Sequence, residues 1–154
     1  VSEYLDWLEQ STLAASIRQS LWLYPALEIV HILGIVILVG SAWLFDLGLL
    51  GFSQKITIAS LSHYLLPWSR RGLILIIPSG LLLFITNAGA LGFDPIFWLK
   101  MALLTLAGLN AFLFHKFSSL RQNGSGLPPT YKIHALISIL FWTGVISCGR
   151  LLAY

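Results

Sequence analysis

Apolar residues gather into four long runs, Trp22–Phe45, Gly72–Leu91, Ile96–Phe117 and Ile133–Tyr154, separated by short polar stretches. A bilayer crossing needs about 20 apolar residues. Each run therefore predicts one membrane helix, with spans at about 22–47, 68–91, 96–118 and 132–153. Short connections between such helices favour antiparallel neighbours, so the expected fold is all-α: an integral membrane antiparallel four-helix bundle, one domain over 1–154.

Ahead of the first run the pattern changes. Tyr4, Leu5, Leu8, Leu13 and Ile17 recur at roughly helical spacing among Glu3, Asp6, Glu9 and Arg18. This predicts one or two short amphipathic helices over about 3–20, lying on the membrane surface. The stretch Lys55–Arg71 reads as an interfacial helix or as an early part of the second span. Asn87, Gly89, Gly92, Asp94 and Pro95 predict a turn, with Asp94 and Pro95 starting the next helix. Gln122–Pro129 predicts the loop before the last span.

Composition agrees with the runs. The chain of 154 residues is 57% apolar and 10% charged, with mean hydropathy +0.85. A soluble domain carries about 25% charged residues, so this chain lacks the polar surface to coat a globule. Its formal charge of +3 is scattered, and no basic patch suggests a nucleic-acid partner. Cys148 stands alone, which excludes an internal disulfide and CxxC chemistry. The acidic start lacks the charged segment of a signal peptide. Val1 is expected to follow a removed initiator and leader, or to mark an incomplete chain.

Charge placement predicts orientation. Lys55, Arg70, Arg71, Lys116, Arg121 and Lys132 fall on the side of the first and third connections, and the acidic residues mostly on the other. The positive-inside rule makes the first side cytoplasmic and puts both termini in the periplasm. Trp22, Tyr24, Trp98 and Tyr154 then form the outer aromatic belt.

Ionisable residues inside a span are costly and are candidate functional sites. Glu28 and His31 share a face of the first span with Gly34, Leu38 and Ser41. Met101, Thr105, Gly108, Phe112 and His115 form a stripe on the third, and His134, Ser138, Phe141, Val145 and Cys148 one on the fourth. The second offers Gly72, Ser79, Gly80, Thr86 and Asn87. Imidazoles from facing helices can hold haem iron. Gly34 and Gly108 would let a flat macrocycle near the backbone, and Lys100, Arg150, Arg70, Arg71 and Lys132 could pair with its propionates.

At 1.5 Å per residue, His31 is on the order of 10–14 Å below the outer face, Met101 about 7–8 Å and His115 about 28 Å. The pattern thus predicts an outer site at His31, with Met101 as a second ligand, and an inner one drawn from His63, His115 and His134. Each of these residues also has an ordinary explanation. A histidine in a bundle is commonly a hydrogen-bonded packing residue, methionine fills gaps, and glycine and serine stripes serve helix packing in lipid. No haem-attachment CxxCH, Walker loop, HExxH or GxSxG occurs.

Two stretches carry a resemblance. One runs from Trp22-Leu23-Tyr24-Pro25 through Glu28-Ile29-Val30-His31 to Phe45-Asp46-Leu47-Gly48-Leu49-Leu50-Gly51. The other joins Phe97-Trp98-Leu99-Lys100-Met101 to Leu109-Asn110-Ala111-Phe112-Leu113-Phe114-His115, with Ser147-Cys148-Gly149-Arg150-Leu151-Leu152-Ala153-Tyr154 at the end. They resemble a family of small bacterial four-span membrane proteins described only as a domain of unknown function. The resemblance implies a bacterial inner-membrane protein and points to His31, Lys100, Met101, His115 and Arg150. It implies no activity, and His63 and His134 fall outside it.

Three functions stay open. The first is a b-type cytochrome with one or two haem b groups. His31 is then an axial ligand, Glu28 orients it, and Arg150 binds propionate. Its partners would be a quinone, a periplasmic electron carrier, or a larger membrane complex or homo-oligomer. The second is a copper or other metal site or transporter using His31, Met101 and Cys148. The third is a cofactor-free structural subunit. A hydrolytic enzyme finds no Ser/His/Asp or Cys/His arrangement at one depth.

Overall fold

The computed structural model describes residues 2–52, 56–119 and 129–152. Most of the expected loop Gln122–Pro129, along with Ser53, Gln54, Lys55, Arg121 and Tyr154, lies outside the described residues. Among the described residues the fold is all-helical, without strands. The helices are α1 (Ser2–Glu9), α2 (Thr12–Gln19), α3 (Leu23–Leu50), α4 (Ile58–Thr86), α5 (Ala88–Gly92), α6 (Pro95–Ser119) and α7 (Pro129–Leu151).

Four of them, α3, α4, α6 and α7, are long and apolar enough to cross a membrane. Their outer faces are bare hydrocarbon. Ile32 and Val36 on α3, Ile74 and Leu81 on α4, Phe112 on α6 and Leu140 on α7 are all exposed. A soluble monomer rarely shows contiguous apolar patches beyond a few hundred Å². Lipid is the solvent that suits this surface, which marks a multi-pass membrane protein.

The second long helix departs from its expected bounds at both ends. It starts at Ile58, ten residues before the span expected from 68, because Thr57 caps it: Thr57 Oγ1 accepts from Ser60 N at 3.4 Å. Pro67 and Pro78 lie inside the helix without ending it. Arg70 and Arg71 consequently stand in mid-helix, and the Arg71 guanidinium rides 4.8 Å over the Trp68 ring. The helix stops at Thr86. Asn87, with φ −136° and ψ 36°, breaks the path, and the rest of the expected span becomes the separate short helix α5.

Contacts within the chain divide it into two units. The first comprises Val1–Gly40 and Pro67–Pro95. Here α3 and α4 run antiparallel and very close. A Cβ on Gly72 would lie 2.8 Å from Leu38 N and 3.0 Å from Gly34 O, and one on Gly34 would lie 2.7 Å from Ile76 Cγ1. Only glycine permits that approach, as in many helix pairs in lipid.

The two N-terminal helices expected on the surface are present and tied down. α1 packs on α5. Glu9 Oε2 accepts from Gly89 N at 2.8 Å, and Arg18 donates to Thr86 O at 2.9 Å and to Glu9 O at 2.6 Å. Ser11 caps α2 by accepting from Ala14 N at 3.3 Å. Arg18 therefore ties the amphipathic segment to the otherwise unsatisfied carbonyl end of α4.

The second unit comprises Ser41–Leu66 and Ile96–Tyr154. Its core is Leu49, Phe114 and Ala135, with Phe45, Leu50, Ile58 and Tyr131 packed against it. The Phe114 ring meets Phe45, Tyr131 and His134 edge-on, with centroids 5.6, 5.0 and 6.0 Å away. Leu103 of α6 covers Gly144 of α7, where a Cβ would come within 2.9 Å of Leu103 Cδ1. Asn110 meets His134 further along, so α6 and α7 run antiparallel.

Candidate functional site

Each unit holds polar contacts between side chains of its membrane-length helices. In the first unit His31 of α3 is half-buried, and its Nδ1 lies 2.9 Å from Ser79 Oγ on α4. The Ser79 hydroxyl donates its own hydrogen to Leu75 O at 2.5 Å. Its oxygen is left to accept, so His31 Nδ1 carries the proton and the ring lone pair sits on Nε2. Gly80 lies under the ring, where a Cβ would come within 3.0 Å of His31 Cε1. Ser79 is 3% exposed, so water does not compete for the contact.

Glu28, expected to orient His31, is exposed, and the group found at Nδ1 is Ser79. Gly34, expected to face a macrocycle, has its near side filled by α4, whereas Gly108 has nothing within 4 Å of a built Cβ. Gly34 thus spends its open face on a helix contact.

In the second unit, Asp46 of α3 is 5% exposed. The Ser138 hydroxyl of α7 hydrogen-bonds its carboxylate, and among the described residues Asp46 Oδ2 has no hydrogen-bond partner. One turn before Ser138, His134 Nδ1 lies 2.7 Å from Asn110 Oδ1, and Asn110 Nδ2 donates to His134 O at 3.0 Å. That pair of bonds fixes the amide, so His134 Nδ1 also carries its proton.

The remaining expected site residues fall as follows. His63 is exposed, with its ring edge-on to Tyr64 at 5.6 Å. His115 is exposed beside Phe114, with centroids 6.4 Å apart. Met101 is half-buried, and its carbonyl accepts from Thr105 Oγ1 at 2.9 Å. Lys100 reaches α7, where a Cβ on Gly149 would lie 3.9 Å from Lys100 Nζ. Arg150 and Arg71 are exposed. Among the described residues no three His, Cys, Asp or Glu side chains gather as a metal cluster.

Asp46 was not singled out from the sequence. The expected span faded at 45–47, which put it at a membrane edge. The signal that places it inside is the apolar stretch Leu47–Leu50 after it, which carries α3 one turn further.

No curated protein and no solved structure matches the chain. A family model does match, over residues 4–154, and the chain belongs to that family, DUF6644, a family of unknown function.

Proposed function

We propose that the protein is a b-type haem protein of the bacterial inner membrane that transfers electrons, in which His31 would hold the haem iron. The observation that supports this reading is the bond from His31 Nδ1 to Ser79 Oγ at 2.9 Å. A haem-ligating histidine coordinates as the neutral ring through one nitrogen and donates the other N–H to a fixed acceptor. Ser79 supplies that acceptor and sets the tautomer with the lone pair on Nε2. Haem b would supply one-electron chemistry; the protein's part is to hold the imidazole and exclude water. Arg71, in the same unit as His31, carries a charge that could pair with a propionate.

Quinone, a periplasmic electron carrier and a larger membrane complex are the partners this activity calls for. Lys116 and Lys132, which flank the connection between α6 and α7, put that connection in the cytoplasm by the positive-inside rule. Residues 2 and 152 are then periplasmic.

A second reading rests on the same contact. The His31–Ser79 bond beside the Gly34–Gly72 approach is also what a cofactor-free subunit would use to lock two helices. One experiment separates the two: optical spectra of the detergent-purified protein, oxidised and dithionite-reduced. A Soret band with sharp reduced bands, lost or shifted in His31→Ala, is the expected result. A protein that stays colourless after haem supplementation while His31→Ala only lowers its stability rules the haem reading out. Bound copper without a porphyrin spectrum would move the assignment to a metal carrier.

A further inference from the structure

We propose that Asp46 is an intramembrane proton-binding site, loaded and unloaded along α7 through Ser138 and His134. It is independent of the His31 reading, since none of its residues belongs to that contact.

The carboxyl group is buried, the Ser138 hydroxyl hydrogen-bonds it, and among the described residues Oδ2 has no partner. The adjacent Phe45 belongs to the packing around Leu49 and Phe114. An ionised carboxylate there would be left half-solvated, and a charge in such a place is neutralised or paired. The candidate counter-charges are few. On α3, Asp46 is the only titratable group between Ser41 and Leu50. The part of α4 in this unit offers His63 and Tyr64, both exposed. There is none on α6 between Lys100 and His115, and on α7 only His134 lies between Lys132 and Cys148. Among the described residues no Lys or Arg side chain forms an ion pair with the carboxylate, so a proton is the species that neutralises it.

A route for that proton is built into α7. Ser138 lies about 13 Å along the helix from Pro129, deep in a span, and His134 about 7–8 Å along it. Residues four apart stand on one face of a helix, which puts His134 between the Pro129 end and Ser138. With Nδ1–H held by Asn110, His134 Nε2 has the lone pair that takes up a proton from the aqueous side. The Ser138 hydroxyl, already bonded to Asp46, passes one on by accepting at oxygen and donating its own hydrogen. Asp46 gains a proton and loses its charge, and release retraces the steps. Nothing is oxidised or reduced.

The test is infrared difference spectroscopy of the full chain in nanodiscs. The expected result is a protonated-carboxyl C=O band at neutral pH, absent from Asp46→Asn and shifted in Ser138→Ala. On transfer to D2O the band should take up deuterium, at least about tenfold more slowly in His134→Gln, since a positioned acid–base group accelerates transfer by 10²–10⁴. Ser138→Ala carries the assignment if Asp46→Asn does not fold. The proposal is overturned by a spectrum with no such band at neutral pH. A band that never exchanges in D2O makes Asp46 a static packing acid. A band removed by sodium or potassium chloride at fixed pH makes it a cation site. Unchanged exchange in His134→Gln removes the route.

Discussion

His31 and Asp46 sit on one helix, and each meets a serine of another, yet the two contacts work differently. At His31 the serine passes its hydrogen to its own helix, so its oxygen serves only as an acceptor. The ring is thereby held in one tautomer, and the glycines of α3 and α4 press the helices together around it. At Asp46 the serine hydroxyl bonds the carboxyl group, and among the described residues Oδ2 is left without a partner. The same residue type therefore completes one polar contact and leaves the other unfinished. A satisfied contact fixes helices; an unsatisfied one in an apolar interior calls for a ligand.

That contrast can be broken or sharpened by substitution, read as thermal or denaturant unfolding in detergent. The largest effect is expected at the glycine approach. Gly72→Leu must force the α4 backbone off α3 and should cost about 3 kcal/mol or prevent folding. A Gly72→Leu protein as stable as wild type would mean that the two helices do not touch there. Next comes Ser79→Ala, which leaves the His31 N–H without its acceptor. A loss of about 2 kcal/mol is expected, and ¹⁵N shifts of the His31 ring should report a mixed tautomer.

Asp46→Asn should be milder. If the carboxyl is neutral in the fold, the near-isosteric amide changes stability by about 1 kcal/mol or less. A large gain in stability would instead reveal an ionised, strained carboxylate in the parent.

Arg18→Ala should cost about 1 kcal/mol, most of it from the donor that Thr86 O loses. Its bridge to Glu9, at 3.3 Å, is more than a third exposed, and the loss should shrink further in high salt. The smallest effect belongs to Gly108→Leu, expected within about 0.5 kcal/mol because the added side chain meets open space. Equal losses from Gly72→Leu and Gly108→Leu would erase the distinction between a glycine used for packing and one that is merely exposed.

The helices themselves were legible in the sequence. Four apolar runs became four long helices, and the amphipathic start became α1 and α2. Local chemistry settled this, since a backbone in lipid must satisfy its hydrogen bonds within each segment. Boundaries were less legible. The stretch Lys55–Arg71 read equally as an interfacial helix or as an early part of the second span, and from Ile58 onward, with the Thr57 cap ahead of it, it is the latter. Asn87 ended it sooner than hydropathy suggested, because Thr86 and the Arg18 guanidinium take up the terminal carbonyls.

The candidate site was half legible. His31 stood out as an imidazole in an apolar run, and Ser79 lay on a recognised small-residue stripe, but nothing in one dimension joined residues 48 apart. Asp46 escaped notice because an acidic residue near the end of an apolar run looks like the membrane edge.

The sequence by itself determined that this chain makes long apolar helices suited to lipid, since hydrophobic length and period act residue by residue along one segment. Only the tertiary structure decided which polar groups are satisfied. Ser79 completes His31, Asn110 holds His134, and Asp46 keeps one oxygen unpaired. Hydrogen-bond satisfaction depends on a partner from another helix, at a distance that sequence spacing does not encode.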